Sequence, residues 1–268
     1  MNMQRTAGPV PKIAAQNVSR IYQTVDGEMV AVDDFSLDVA DGEFVCVVGP
    51  SGCGKSTFLR MIAGLDDISA GSIHIAPGRV PGKPLNSVVF QEYAIFPWKT
   101  VIDNVAFGLE MRGIARNERL ETARYWLDRV GLGKFAGYYP HQISGGMKQR
   151  VSIVRALAND PEVLLMDEPL GALDAQTRVV LQEELLRIWE ETRKTVVYIT
   201  HSLDEAVLLG DRVILMTAQP GRHLATFDID LPRPRSIETT NTPRFVEHRA
   251  LIWEKLSQEV KRAMEQHQ

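Results

Sequence analysis

Cysteine is nearly absent from this sequence: only Cys46 and Cys53 occur among 268 residues. Two such residues, one inside an apolar run and one inside a glycine-rich stretch, exclude a disulfide framework and suit a reducing compartment. Long hydrophobic runs are missing as well. No segment approaches the ~18 to 20 apolar residues that cross a bilayer, and MNMQRTAGPVPK has no hydrophobic stretch of a signal peptide. The expectation is a chain that stays in the cytoplasm and meets a membrane only by docking to another protein. Positive charge is not in excess either: the formal net charge is -4, so the totals lack the electrostatic footprint of a nucleic-acid binder. There is no internal repeat, no low-complexity segment and no sustained heptad run. What remains, 44% hydrophobic and 24% charged residues, is the balance of a globular protein long enough to bury a sizeable core.

Along the chain, residues 1–12 carry Gly8, Pro9 and Pro11 and little to bury, and read as a flexible tail. In VDGEMVAVDDFSLDV the Asp26-Gly27 pair marks a turn, and Phe35, Leu37 and Val39 alternate with Ser36 and Asp38 as in a half-buried antiparallel strand. FVCVV, VLLM and TVVYI are continuous apolar runs suited to strands covered on both faces, and helical segments alternate with them. The expectation is an α/β fold with a mainly parallel sheet, preceded by an antiparallel β subdomain. From about 99 to 158 the periodicity is helical, broken at Gly113 and Gly131, and predicts an inserted helical lobe. Residues 219–268 form a C-terminal extension: QPGRHLATFDIDLPRPRS is rich in turn formers, and Thr242-Pro243 then caps a helix with Phe245, Ile252, Leu256 and Val260 on one stripe.

The chemistry is concentrated in a few motifs. Gly49-Pro50-Ser51-Gly52-Cys53-Gly54-Lys55-Ser56, followed by Thr57, matches G-x-x-x-x-G-K-[ST] between a buried strand and a helix, the context a phosphate-binding loop requires. Backbone N–H groups converge on phosphate oxygens there, Lys55 adds a point charge, and the Ser56 hydroxyl is a Mg²⁺ ligand. VLLMDEP ends a buried strand at Asp167, placed to hold Mg²⁺, with Glu168 beside it as the candidate base for the attacking water. A lone Asp at a strand end would read as a helix cap; the phosphate loop gives it the other meaning. Ser144, Gly145 and Gly146 open a further helix whose apolar residues Met147, Val151, Val154 and Leu157 follow at helical spacing. By spacing alone the favoured reading is a serine cap with two turn glycines, and the alternative is a second anion site.

Taken together and in this order, with Gln91 in VVFQE, LGALD at 170–174 and His201 after TVVYIT, these motifs resemble the ATP-binding cassette ATPases, with similarity from Ile13 to about Thr217. The resemblance implies a P-loop NTPase core over residues 13–218, ATP and Mg²⁺ as ligands, and a second copy of the chain as partner. Each ATP would lie between the phosphate loop of one copy and Ser144, Gly145 and Gly146 of the other. It assigns Tyr22 to adenine stacking, Gln91 to Mg²⁺ and to sensing the membrane partner, His201 to the γ-phosphate, and Asp174 to a loop crossing the dimer interface. As a lone aromatic Tyr22 equally suits the core, and a histidine at a strand end is by itself an ordinary surface residue. Ile143 stands where the family's signature usually has leucine, a volume-conserving swap.

One phosphate loop per chain and no coiled coil set aside chromosome machines and twin-cassette translation factors. A cytoplasmic clamp or regulator using the same dimer is the alternative to transport. QEYAIFPWKTVIDNVAFGLEMRGI, YYPHQISGGMKQR and the tail from Leu231 resemble importers of nitrate, sulfonates and taurine. That implies separate integral membrane permease subunits, an extracytoplasmic solute-binding protein acting through them, a peripheral position on the cytoplasmic face of the membrane, and no nucleic acid. Phe96 to Trp98 then read either as an apolar turn in the core or as the surface on which the permease docks.

Overall fold

Residues 10–25, 27–78 and 81–266 are described by the computed structural model of the chain. β1 (Ile13–Thr24) and β2 (Gly27–Val39) form an antiparallel hairpin running from Ile13 opposite Val39 to Thr24 opposite Gly27. Gly27 has φ +119°, a conformation open to glycine at no steric cost; its turn partner Asp26 lies outside the described residues. Phe35, Leu37 and Val39 are buried while Ser36 and Asp38 are exposed, the period of two that a one-sided strand demands.

Lys12 departs from the expected flexible tail. Its N–H donates to the Val39 carbonyl and its carbonyl accepts from Ala76, so strand pairing extends one residue before β1. Its ammonium is buried and pairs with Glu162 at 2.8 Å. Residues 1–9 of that tail lie outside the described residues.

β3 (Phe44–Val48) is buried throughout and feeds the glycine-rich loop and then α1 (Lys55–Ile62). β4 (Ala70–Ile75) returns to pair with β1, completing a three-stranded antiparallel sheet in the order β2-β1-β4. Then come β5 (Asn86–Val89) and the helices α2 (Val101–Met111), α3 (Arg116–Arg129) and α4 (Gly145–Ala158), with Gly113 and Gly131 at positive φ just past the ends of α2 and α3. The alternating strands and helices continue with β6 (Val163–Asp167), α5 (Ala175–Thr192), β7 (Thr195–Ile199), α6 (Leu203–Leu209) and β8 (Arg212–Met216).

The main sheet has six strands in the order β5-β6-β7-β3-β8 and an edge strand, β9 (His223–Asp228). Five are parallel and β9 is antiparallel to β8. A strand here was not expected from the turn-rich sequence. Its residues are exposed or half-buried, so no strong alternation marks them, and the sheet therefore continues past residue 218.

The central strands β3, β6 and β7 are buried at every position because both faces are covered. Phe44, Cys46 and Val48 of β3 face a core shared with the helical lobe, α5, α6 and the chain's last helix. Val45 and Val47 face the core under α1 and the antiparallel sheet. That last helix, α7 (Pro243–Gln266), buries Phe245, Ile252 and Leu256 with Val260 packed alongside, and the Thr242 hydroxyl accepts from the Phe245 N–H at 3.3 Å as its cap. Burying each large side chain contributes about 1.5–3 kcal/mol. Among the described residues no helix is long and apolar enough to cross a membrane.

Candidate functional site: two half-sites on one chain

Parallel strands deliver their C-terminal ends to one edge of the sheet, where α/β folds place their ligands. Here β3 ends at the phosphate loop, β6 at Asp167, β7 just before His201 and β5 just before Gln91. Four stretches remote in sequence are thereby brought to one rim.

The phosphate loop is shaped by its glycines. Gly52 and Gly54 sit at φ +76° and +99°, and a Cβ on Gly54 would come within 2.5 Å of the Ala31 carbonyl oxygen of β2. The loop is wrapped tightly against the hairpin, and no side chain fits beneath it. Ser51 and Gly52 are exposed at the outer bend, while Gly49, Cys53 and Lys55 are buried beneath it. Lys55 donates from Nζ to the carbonyls of Gly49 and Pro50, both at 2.9 Å. A buried ammonium held by two neutral carbonyls and the Cys53 sulfur, with no carboxylate on it, suits an anion on the loop's outer side. Burial pushes the Cys53 thiol up, against the opposing pull of Lys55, so it stays a neutral packing group. Ser56 and Thr57 occupy the first turn of α1, whose N–H groups point at the same place.

The Ser56 hydroxyl donates to Asp167 Oδ1 at 2.8 Å. Asp167 is buried, and its carboxyl is pushed up first by desolvation, with the neighbouring Glu168 charge acting the same way and the Ser56 hydrogen bond opposing. Glu168 is held in the left-handed region at φ +44°, costing about 1–3 kcal/mol for a non-glycine residue. The strain is clamped: the Glu168 N–H donates to Ile199 of β7, and the Gly171 N–H donates to the Glu168 carbonyl. In that pose Oε2 of Glu168 accepts from Gln91 Nε2 at 3.4 Å and lies 3.2 Å from His201 Nδ1. Ser56, Gln91, Asp167, Glu168 and His201 thus form one connected cluster beside the loop.

Ser144, Gly145 and Gly146 lie elsewhere. Ser144 caps α4, its hydroxyl accepting from the Met147 N–H at 3.3 Å, so the serine cap expected from spacing is present. The two glycines open into a cleft of about 360 Å³, lined also by Tyr93, Arg150, Asp174 and Thr177. Both positions are tight: a Cβ would come 2.8 Å from the Tyr93 hydroxyl at Gly145 and 2.7 Å from the Thr177 methyl at Gly146, so a larger residue would have to push those side chains aside. Asp174 caps α5 by accepting from the Thr177 N–H at 3.0 Å, and that bond holds its carboxyl below the usual range. No residue of the phosphate loop lines this cleft. The phosphate loop and the paired glycines thus lie at two separate places on the chain.

Tyr22 joins neither cluster through a hydrogen bond. Its hydroxyl donates to Asp66, four residues beyond α1, and the Arg20 guanidinium lies 4.5 Å from its ring centroid. Two other residues support these loops, Asn104 within the stretch that resembles importers and Gly221 with no sequence signal. Gly221 sits behind the phosphate loop, its N–H donating to Ala31 and its carbonyl accepting from Asp33. Asn104 is fully buried and ties Phe96, Lys99 and Thr100 into a turn that leaves Trp98 71% exposed. Trp98 is therefore a surface residue, and it borders a groove of about 830 Å³ lined by Gln91, Tyr93, Ile95 and Pro97.

Known proteins resemble this chain over most of its length. The sequence pattern of the family described as ABC transporter matches residues 32–171. A taurine import ATP-binding protein of Rhizobium johnstonii is 48% identical over 231 residues, covering 83% of this chain and 87% of that one. A nitrate import ATP-binding protein of Synechocystis sp. is 46% identical over 217 residues, covering 81% and 82%. Among solved structures, the dimeric ATP-binding cassette MJ0796 in a post-hydrolysis state bound to ADP and Pi superposes with a TM-score of 0.73 at 32% identity, over 82% of this chain and all of that one. A phosphate loop, an acidic strand end and a glycine pair turned away from both are what such a cassette needs, and the chain belongs to the ABC transporter family as an ATP-hydrolysing subunit.

Proposed function

We propose that two copies of this chain close head to tail around two ATP molecules and drive the permease of an importer for a small anion of the nitrate or taurine kind. The observation that carries this reading is the separation of the half-sites: Ser144, Gly145 and Gly146 face a cleft that contains none of the phosphate loop. A second copy supplies the missing half to each, and a two-fold arrangement uses both pairs at once.

Within such a site each residue has a role, which the contacts described above support for the phosphate loop, Asp167 and Glu168. The phosphate loop and Lys55 hold the nucleotide's phosphates, and Ser144 with the N–H groups opening α4 meets the γ-phosphate from across the interface. The Ser56 hydroxyl, the Asp167 carboxylate and the Gln91 amide would hold Mg²⁺, being hard oxygen donors of the kind this ion prefers, and the ion would supply charge to offset that of the transferring phosphate. Glu168 takes a proton from the attacking water, and His201, 3.2 Å from it, orients that carboxylate. Asp174 crosses the interface beside the glycines, and Tyr22 serves the adenine.

The coupling surface is the groove beside Trp98, where an exposed aromatic offers an anchor for the permease. The chain then works at the cytoplasmic face of the membrane through that contact. A solute-binding protein on the far side delivers the anion to the permease, and nucleic acid has no part. The relatives importing nitrate and taurine support the choice of solute class.

The test uses the Glu168→Gln variant, which keeps the shape of the site and slows turnover. With Mg-ATP it should run as a dimer in light scattering. Adding Ser144→Arg should keep it monomeric while nucleotide binding persists. A dimer that forms equally well in the double variant would overturn the shared site.

A further inference from the structure

We infer that Glu205, a buried residue of α6 outside the phosphate-binding motifs, is a positioning residue that holds the His201 loop and the Asp174 loop in one register. Its side chain is 4% exposed, and the structure surrounds it with donors from three elements. Thr200 donates from its hydroxyl to Oε2 at 2.7 Å, and Tyr198 donates to the same oxygen at 3.0 Å. On the other side Gln182 of α5 donates to Oε1 at 3.4 Å, and Arg178 Nε lies 4.0 Å away. Burial, reinforced by this carboxylate, pushes the Tyr198 hydroxyl up, so Tyr198 acts only as a donor.

The first arm fixes His201 from both flanks. Thr200, 2% exposed, spends its hydroxyl proton on Glu205 and accepts the Ser202 N–H at 3.0 Å. The Ser202 hydroxyl in turn accepts the Glu205 N–H at 3.3 Å. The backbone immediately before and after His201 is therefore tied to one carboxylate, while the imidazole itself is 57% exposed and touches Glu168. An exposed ring keeps its aim only if its backbone is held.

The second arm reaches the other half-site. Arg178, beside Oε1, donates through its guanidinium to the Leu173 carbonyl at 2.8 Å, the residue just before Asp174. Within one chain, Glu205 thus joins the residue facing its own ATP to the loop that faces its partner's. Displacement of one loop reaches the other through these hydrogen bonds and the 4.0 Å charge contact between Glu205 and Arg178.

The inference rests on the role proposed for His201, and the experiment separates the two. ATP turnover of the full chain is measured for Thr200→Val and Glu205→Ala, each alone and combined with His201→Ala. Expected are a roughly tenfold or greater fall in kcat for each single variant with ATP KM changed less than about threefold, the mark of an interaction acting in the transition state. On top of His201→Ala each should cost less than about twofold, because both act through the imidazole. Hydrogen exchange of the nucleotide-free chain should show the Ser202 and Glu205 amides opening about tenfold faster in Thr200→Val, with β3 unchanged. Thr200→Val deletes one hydroxyl and keeps the side-chain shape, so it decides the matter if Glu205→Ala does not fold. Equal losses with and without His201, or a raised KM at constant kcat, would overturn the role of Glu205. Parental turnover in His201→Ala alone would instead overturn the reading of His201.

Discussion

Gly221→Ala probes the support of the phosphate loop at a residue outside the loop itself. A methyl at this position would lie 2.1 Å from the Cys53 carbonyl oxygen and 2.6 Å from the Met216 terminal methyl. Met216 can swing aside, being unbranched and flexible. The carbonyl cannot, because it is backbone inside the loop that cradles phosphate. An unstrained carbon–oxygen contact needs about 3.3 Å, so roughly 1 Å must open somewhere. If Gly221 retreats, it breaks its hydrogen bonds to Ala31 and Asp33, each 3.0 Å long and worth about 1 kcal/mol. If the loop retreats instead, its N–H groups are misplaced by a similar distance, and a 1 Å error at a reacting centre costs about 100-fold in rate. Both outcomes are expected in part: a destabilisation of about 2 kcal/mol, read as a melting shift of roughly 4–8 °C, and a loss of ATP turnover approaching 100-fold. Gly137→Ala is the control, since that glycine has open space around it and φ is not positive; it should change stability by less than about 0.5 kcal/mol. Scanning calorimetry and steady-state phosphate release measure the two effects. Turnover within twofold of the parent together with an unshifted melting point would refute the idea that the 216–222 turn is a rigid floor.

Two further expectations concern stability. Asp167 is pushed up mainly by desolvation, so between the ordinary carboxylate value and the raised one the folded chain holds more protons than the unfolded chain. Stability therefore falls as pH rises across that window, and the full penalty is present at neutral pH. Asp167→Asn should melt higher than the parent near pH 7, with the gap narrowing toward about pH 4, while losing Mg²⁺-dependent hydrolysis; a lower melting point at neutral pH would contradict the desolvation argument. Arg235 is 5% exposed and donates to the carbonyls of Val207, Leu208, Gly210, Ile229 and Leu231, closing the C-terminal end of α6, and burial pushes its guanidinium down to about 10. Arg235→Ala strands those acceptors and should cost about 3–5 kcal/mol in denaturant melts; a loss under 1 kcal/mol would show that water replaces the side chain freely.

Much of this protein was legible in one dimension. The strand–glycine loop–helix unit, the acidic strand end, the glycines at 113 and 131 and the Thr242 cap are all local, because each depends on a few consecutive backbone conformations that residue type controls. The burial of β3, β6 and β7 on both faces followed from their unbroken apolar runs. Two things did not follow. β9 has no marked alternation because an edge strand is half-wet, and its place beside β8 is set by pairing rather than by propensity. Lys12 reads as tail but is fixed by partners 27 and 150 residues away.

The sequence by itself determined which candidate groups the chain carries: a lysine at the end of a glycine-rich loop, a set of hard oxygen donors, and a carboxylate beside an acidic strand end. Only the tertiary structure decided which of these groups meet. Glu168 gathers Gln91 and His201 because three parallel strands end at one rim, and the paired glycines at 145 and 146 turn into a different cleft because α4 packs with the helical lobe. Neighbourhood across a sheet is fixed by strand order and register, and those are properties of the packed whole that no short run of residues contains.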